Sequence, residues 1–407
     1  MRKISADWIF PVSSPRVKNG VVVVDEQGKI LDVTDRKNFD QNDLEVYEGI
    51  ICPGFINAHC HLELSYMKGK ISEKRGMIQF IMDVIDFRNG FTVSLEEESL
   101  EIIYDSIRKA EAEMFENGIV AVGDISNDDY TFDFKSRSKL RYHTFVECFG
   151  FYPEKAENYF AHSRKIFEEA QKKNLNASIT PHAPYSVPPE LMKTIFSFKE
   201  NQIAIFSYHN QESEAENEFF RKGTGDFVKL FEHFNLPLSI FHRTGKNSLE
   251  SVLPYFPKNK KMLLVHNTVS TDGDFKIANS EYLQFAAKGE RLYFCTCPNA
   301  NLYIEGRLPD YSIWKNYTNQ ICIGTDSYAS NHQLSILEEM ITIWKHVPEV
   351  SLDQLIQWST LNGATFFDWD QNLGSIEKGK TPGLNLITSL NVQPLHLKGD
   401  CKVQRLA

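Results

Sequence analysis

The stretch Ile51-Cys-Pro-Gly-Phe-Ile-Asn-Ala-His59-Cys-His61-Leu62 opens as an apolar run and closes on two histidines two residues apart. Side chains alternate along a strand, so both imidazoles project to one face and could grip a single ion. Further runs of the same kind follow at 118–125, 142–150, 177–182, 203–209, 262–266, 292–297 and 321–326. Segments of helical period separate them, which is the rhythm of a parallel α/β architecture. Eight such strands are the number that closes a (β/α)8 TIM barrel. Met262-Leu-Leu-Val-His266 and Ile321-Cys-Ile-Gly-Thr-Asp326 are apolar up to a polar tip, as parallel strands buried on both faces should be.

Around this core the rest of the chain falls into place. Residues 1–50 hold Gly20-Val-Val-Val-Val-Asp-Glu-Gln-Gly-Lys-Ile-Leu-Asp-Val33, two β runs joined by a turn, a hairpin that a barrel does not need. Gly374-Ser-Ile-Glu-Lys-Gly-Lys-Thr-Pro-Gly-Leu-Asn-Leu-Ile-Thr388 again reads as turn and strand. The expected division is a small β-sandwich domain built from both termini, 1–50 plus 374–407, beside a barrel over 51–373, with the crossing point at 49–54. Residues 100–116 form an amphipathic helix that places Ile102, Ile103, Ile107, Ala110 and Met114 at spacings mostly of three and four, and Ser351 caps a helix over 352–363. Two connections are long: 63–117, with an extra helix at 77–87, and 210–261, with the acidic run Glu212-Ser-Glu-Ala-Glu-Asn-Glu218. At this end of a barrel such insertions are lids or substrate-binding loops.

Composition removes several classes of function. Lys plus Arg number 44 against 54 Asp plus Glu, so the net charge of −10 offers no grip on nucleic acid or an anionic membrane. No apolar run approaches the ~20 residues that span a bilayer, and Asp7 sits where a signal peptide would be hydrophobic, which predicts a soluble, cytoplasmic protein. The seven cysteines are odd in number and scattered through apolar runs, as reduced core residues are. Cys295 and Cys297 share a strand face, but no second pair follows, so packing explains them better than metal binding.

The chemistry is read at the strand tips. His182 in Thr180-Pro-His-Ala-Pro-Tyr-Ser186, His209, His266 and Asp326 each close a run, as His59 and His61 close the first. A single histidine at a strand end is more often a structural hydrogen-bonding residue, and Asp after Gly-Thr is a common turn residue. Finding such residues at five separate tips is not explained by turns, because barrel tips converge on one mouth where active sites are built. Glu147 in Val146-Glu-Cys-Phe149 is an acid inside an apolar strand, where an unpaired carboxylate is costly; it meets either a substrate or a buried Arg.

These residues carry a family resemblance. Pro53-Gly-Phe-Ile-Asn-Ala-His-Cys-His-Leu-Glu63, His182-Ala-Pro-Tyr-Ser186, His209 with Glu212, Val265-His-Asn267 and Gly324-Thr-Asp326 resemble the amidohydrolase superfamily, in its aminohydrolase branch of adenosine-type and guanine deaminases and chlorohydrolases. The resemblance spans nearly the whole chain and includes the composite β domain. Within the branch the chain is most similar to the aminodeoxyfutalosine deaminases, in His209-Asn-Gln-Glu212 followed by an acidic helix with Gly223-Thr-Gly-Asp-Phe227, and in Cys297-Pro-Asn-Ala-Asn301.

The resemblance implies a site and a reaction. It assigns His59, His61, His209 and Asp326 to one divalent ion, and three imidazoles with a carboxylate suit zinc, with iron as the alternative. Binuclear relatives carry a carbamylated lysine on the fourth strand, whereas this one ends Ile179-Thr-Pro-His182, so one ion is expected. The ion would activate water, His266 would orient and help deprotonate it, Asp326 would take up a proton, and Glu212 would carry the proton to the ring nitrogen and the departing ammonia. His182 would contact a ribose or ring. The implied activity is hydrolytic deamination of an aminopurine nucleoside or related amino-heterocycle, aminodeoxyfutalosine being the sharpest candidate. Dechlorination or cyclic-amide hydrolysis on the same metal site is the first alternative, and a non-catalytic scaffold the second, although retention of every expected ligand and of Glu212 argues against a scaffold. The implied partner is a small-molecule substrate, and homodimers are common among relatives.

Overall fold

The computed structural model describes residues 1–92, 97–201, 205–282 and 291–407. Eight parallel strands form the centre: β1 Phe55–Cys60, β2 Ile119–Ser126, β3 Arg141–Cys148, β4 Ala177–Pro181, β5 Ile205–Asn210, β6 Lys261–His266, β7 Leu292–Thr296 and β8 Ile321–Ile323. Each expected strand is present, although residues 203 and 204 of the fifth lie outside the described residues. Strands β1 to β4 pair in order, and so do β5 to β8. The two seams close differently. A parallel bridge joins Cys60 to Asp326 at one. At the other, side-chain hydroxyls do part of the ladder's work: Ser178 Oγ donates to the Ile205 carbonyl at 3.0 Å, and Thr180 Oγ1 accepts from the Ser207 amide at 2.9 Å.

Strand alternation sorts the core into two layers. Ile56, Ala58, Ala121, Phe145, Leu263, Val265, Tyr293 and Cys295 fill the barrel interior as one cluster. Their neighbours Val122, Val146, Ile179, Phe206, Tyr208, Leu264 and Phe294 join a larger cluster that faces the surrounding helices. Extending the interior rows by one step carries Phe145 to Glu147, Thr180 to His182 and Ser207 to His209, so the period of two delivers these three side chains to the mouth. All seven cysteines are buried and free, which bears out their placement in the core.

Three local expectations need correction. The run 51–62 is two strands: Ile50–Pro53 belongs to an outer sheet, and β1 begins only after Gly54. A Cβ on Gly54 would lie 2.2 Å from Val120 Cγ1, so the chain can cross here only as glycine. In the helix Glu97–Glu116, Ile103, Ile107, Ala110 and Met114 are fully buried, but Ile102 is 46% exposed because it lies one position off the buried stripe. Ser351 caps as expected, in a box with Gln354, yet the helix is Leu352–Ser359 only. Thr360, at φ −134° and ψ −84°, breaks it before a second helix, Leu361–Phe366.

The termini make two sheets against the barrel. Gly20–Val24 and Ile30–Asp35 form the hairpin, in a four-stranded sheet with Arg2–Ser5 and Glu45–Val46. Leu384–Thr388 lies antiparallel between Ile50–Pro53 and Lys402–Arg405 in a five-stranded sheet. Ile4, Ile9, Val22, Ile30, Ile51, Leu384 and Leu386 share the core between the sheets, the packing of a β-sandwich. No helix among the described residues is long and apolar enough to cross a membrane.

Candidate active site

Four side chains converge at the mouth from three strand ends. His61 Nε2 lies 3.2 Å from His59 Nε2 and 3.3 Å from His209 Nε2, and Asp326 Oδ1 lies 3.7 and 3.5 Å from His59 and His61 Nε2. Donors about 2.0–2.1 Å from one zinc lie about 3–4 Å from one another, so these spacings suit four side chains that share a single ion. The second nitrogens support the same reading. His209 Nδ1–H donates to the His182 carbonyl at 3.0 Å, which leaves Nε2 with its lone pair toward the cluster. Burial and the neighbouring imidazoles hold His59 and His209 well below the usual histidine range, in the neutral state that ligates. His59, His61 and Asp326 can share an ion, and His209 completes the set. The residues present therefore fit one divalent cation.

Backbone detail explains why the tips reach one point. Gly324 packs against His59, where a Cβ would sit 2.8 Å from the His59 carbonyl oxygen, so the Gly-Thr-Asp turn requires glycine first. The amides of Thr325 and Asp326 then both donate to that carbonyl at 3.1 Å. His266 has the parity of Leu264 and would face the helices; φ +69° swings it into the mouth instead. Asn267 (φ +51°), Gln211 (+45°) and Asp326 (+57°) share this left-handed conformation. Non-glycine residues held there cost of order 1–3 kcal/mol each and cluster at functional sites.

Around the cluster stand the groups assigned to proton transfer. Glu212 is buried, and its Oε1 lies 3.5 Å from His266 Nε2. Burial first, then Asp326, Glu216 and Glu305, push its carboxyl well above the usual range, which favours its protonated form. His266 Nδ1–H donates to Asn301 Oδ1 at 2.9 Å, which turns the bare Nε2 toward the site. Asp326 Oδ2 accepts from Ser330 Oγ at 2.5 Å. His182, half-buried, is fixed by Ser186 Oγ at 2.6 Å. The acidic run is divided: Glu212 and Glu216 are buried, while Glu214 is exposed.

Glu147 lines the cavity where a substrate would lie, and it does not reach its other expected partner, an arginine, directly. Its Oε2 accepts from Asn127 Nδ2 at 3.1 Å, and Asn127 also donates to Glu63 at 2.7 and 3.0 Å. Arg88 follows at 3.6 Å from Glu63, so the arginine is two residues removed. Glu147 Oε1 is buried 3.6 Å from His209 Nδ1.

Other supporting residues escaped the sequence reading. Glu216 accepts the amides of Gln211 and Glu212 at 3.0 and 3.4 Å, and so holds the turn that carries Glu212. Glu339, buried on the helix Ile336–His346 and pushed up to about 8 by burial, accepts from Asn299 and Asn331 at 2.8–2.9 Å. Asn331 in turn donates to the Thr325 carbonyl at 2.8 Å. Thus Pro298-Asn-Ala-Asn301 ties the tips of β6 and β8 together. Asp124 Oδ1 accepts the Leu62 amide at 2.8 Å, just past His61, and the fully buried Lys135 Nζ lies 2.5 Å from Oδ2. Asp124 carried a signal: like Glu147, it is an acid inside an apolar run. Glu216, Asn299 and Asn301 lie in stretches that the sequence singled out, whereas Lys135 and Glu339 carried no signal, because they come from helices placed by packing. Lys135→Met strands Asp124 uncompensated, and we expect a loss of about 3–5 kcal/mol in a urea titration. A change under 1 kcal/mol (about a fivefold shift in the folding equilibrium) would show the pair to be dispensable.

The arrangement lies in a cavity that also touches His61, His209, Glu212, His266, Asp326 and His182, walled by the helix Met77–Thr92 and by Leu230 and Phe234. Both long insertions therefore line the site, as expected of them. Over residues 50–404 the chain matches the amidohydrolase family. It is 24% identical to a 5-methylthioadenosine/S-adenosylhomocysteine deaminase of Saccharophagus degradans, covering 96% of this chain and 84% of that protein. It is 26% identical to an aminodeoxyfutalosine deaminase of Nitratiruptor, covering 81% and 78%. The solved structure of Helicobacter pylori aminofutalosine deaminase with methylthio-coformycin superposes with a TM-score of 0.78 at 22% identity over the full length of both chains.

Proposed function

The chain belongs to the amidohydrolase family, and from that premise we propose that it is a metal-dependent hydrolytic deaminase of an adenine-type nucleoside, acting in the cytoplasm on a small-molecule substrate. The carrying observation is the pairing of the buried Glu212 with His266, Oε1 to Nε2 at 3.5 Å, beside the four converging donors. His59, His61, His209 and Asp326 would hold the ion, zinc by their chemistry. When bound, such an ion supplies Lewis-acid activation of water, bringing its pKa to about 7.

The chain's own groups do the rest. His266 Nε2, bare because Asn301 holds Nδ1–H, accepts a proton from the attacking water. Glu212 gives its proton to the ring nitrogen as the C–O bond forms at the amidine carbon and recovers one from His266, 3.5 Å away, while the second water proton passes by way of Asp326 to the exocyclic nitrogen, so that the C–N bond breaks with ammonia leaving. Asp326, held by Ser330, sits where it can receive the second proton. His182, whose Nδ1 is engaged by Ser186, presents Nε2 to the substrate's ring or sugar, and Glu147 lines the same wall. The names of the relatives, deaminases of methylthioadenosine, S-adenosylhomocysteine and aminodeoxyfutalosine, support a nucleoside modified at its 5′ end, aminodeoxyfutalosine included.

Ammonia release by the zinc-loaded protein tests this reading, with bound metal quantified in parallel. The panel is aminodeoxyfutalosine, adenosine, 5′-methylthioadenosine, S-adenosylhomocysteine and guanine. We expect strong turnover of at least one adenine nucleoside. One metal per chain without ammonia from any of them would overturn deamination and make chlorinated triazines and cyclic amides the next substrates.

A further inference from the structure

The helix Ile336–His346 carries a group that neither packing nor the proton chemistry calls for. Ile336, Leu337, Met340, Ile341 and Ile343 are its buried apolar residues, and Glu339 is fully buried among them. Burying a carboxylate is costly, and an apolar side chain would fill this place at lower cost. Among the described residues no Lys or Arg pairs with Glu339; three N–H donors compensate it. Its Oε2 accepts the Asn299 amide at 2.8 Å, and its Oε1 accepts Nδ2 of Asn299 at 2.9 Å and of Asn331 at 2.8 Å. Both asparagines are fixed from behind: Asn299 Oδ1 accepts from Thr342 Oγ1 at 2.6 Å, and Asn331 Oδ1 accepts from the Gln333 amide at 3.3 Å. Each therefore turns its N–H toward Glu339, and only a side chain with two acceptor oxygens satisfies all three donors.

Two arms lead from this carboxylate to the two groups that receive protons. On one, Asn331 Nδ2 also donates to the Thr325 carbonyl at 2.8 Å, one residue before Asp326. On the other, Asn299 lies in the short helix Pro298–Ile304 with Asn301, whose Oδ1 accepts from His266 Nδ1 at 2.9 Å. His266 (φ +69°) and Asp326 (φ +57°) both hold left-handed backbone, which persists only where the surroundings over-determine it. Each tip has an anchor of its own, Asn57 on the Thr325 amide at 3.0 Å and Asn210 on Asn267 at 2.9 Å, from β1 and β5 respectively. Those anchors hold the tips separately. Glu339 joins them through a single carboxylate.

We propose that Glu339 is a positioning residue for the reaction: its carboxylate holds His266 Nε2 and Asp326 Oδ1 in fixed mutual placement, so that both proton acceptors address the same water. The inference rests on the deaminase reading for the roles of His266 and Asp326 in turnover, but not for the ion site, and the experiment uses that difference. Glu339→Gln, Asn301→Ala, Asn331→Ala and the double asparagine variant are prepared as full chains. Zinc affinity is measured by competition with a chelator, and thermal unfolding reports the fold. Ammonia release from 5′-methylthioadenosine and aminodeoxyfutalosine at saturating zinc gives kcat and KM.

Whichever way its amide turns, glutamine sets an NH2 against an N–H donor. We expect Glu339→Gln to lower both zinc affinity and kcat by about 10–100-fold, as loss of an outer-shell partner does, with KM within about threefold. Asn331→Ala should reproduce the fall in zinc affinity, while Asn301→Ala should lower kcat and leave zinc affinity within about threefold of wild type. Because both arms hang on one carboxylate, the double variant should retain a kcat at least about threefold above that given by multiplying the two single losses. Multiplicative losses would overturn the proposal, and this arm decides it even where Glu339→Gln fails to fold. A lower melting temperature for Glu339→Gln, with zinc affinity and kcat both within about threefold of wild type, would mark a packing residue and also overturn it. Wild-type protein that binds zinc but releases no ammonia from any nucleoside of the panel would overturn deamination instead. Zinc affinity then decides alone: a loss shared by Glu339→Gln and Asn331→Ala upholds the positioning role at Asp326, and unchanged affinity in both removes it.

Discussion

Glu212→Gln should keep its metal and lose about three orders of magnitude in turnover, the middle of the range that one positioned proton donor contributes. Glutamine has the same shape and fits the same buried space, so the Gln211 and Glu212 amides stay on Glu216 and the turn after β5 is preserved. What is lost is a transferable proton. Burial and the adjacent carboxylates push the wild-type carboxyl upward and favour its protonated form, which suits it to meet a ring nitrogen that must be neutralised as water adds. Because the interaction strengthens in the transition state, the loss should fall on kcat and leave KM within a few-fold. Metal content distinguishes this from damage to the ion site: Glu212 is not among the four converging donors, so one ion per chain should be retained. Turnover within about tenfold of wild type would remove Glu212 from the proton path.

What could be read beforehand, and what could not, follows from the range of each signal. Strand tips are local. Apolar runs ending in His or Asp located β1, β5, β6 and β8, and the period of two placed His59, His61 and His209 on the inward face. The Ser351 cap and the 20–33 hairpin were equally legible, since turn and cap chemistry acts within a few residues. Parity failed at His266, where the strand pattern points to the helices and only the left-handed backbone brings the side chain in. The supporting shell was hidden for another reason. Glu339 acts on Thr325 through Asn331, and Lys135 acts on Leu62 through Asp124, links made by helix packing that no spacing in the sequence records. Glu147 was half legible: burial of an acid in a strand marked it, but its partner Asn127 comes from the loop after β2.

The same view of the shell predicts the second large effect. Asp326→Asn should lower metal affinity by more than about a hundredfold, beyond the 10–100-fold that loss of an outer-shell partner costs, and should depress turnover even with metal in excess. The fold should survive. Asparagine tolerates the left-handed φ of +57°, and the backbone amide keeps its bond to the His59 carbonyl at 3.1 Å. The side chain, however, has one acceptor where aspartate has two. Ser330 Oγ–H occupies one oxygen of the wild-type carboxylate, and the other faces His59 and His61 Nε2 at 3.7 and 3.5 Å. If the asparagine oxygen stays with Ser330, an NH2 donor faces the ligand cluster, where a cation must bind. If the amide flips, the oxygen faces the cluster without charge and Ser330 loses its acceptor. Either arrangement weakens the ion site, and neither can receive a proton from water. A competition titration against a chelator reads the first loss, and kcat at saturating zinc reads the second. Should affinity and kcat both survive, the eighth strand would not carry a ligand, and His59, His61 and His209 would have to complete the coordination without a carboxylate from this strand.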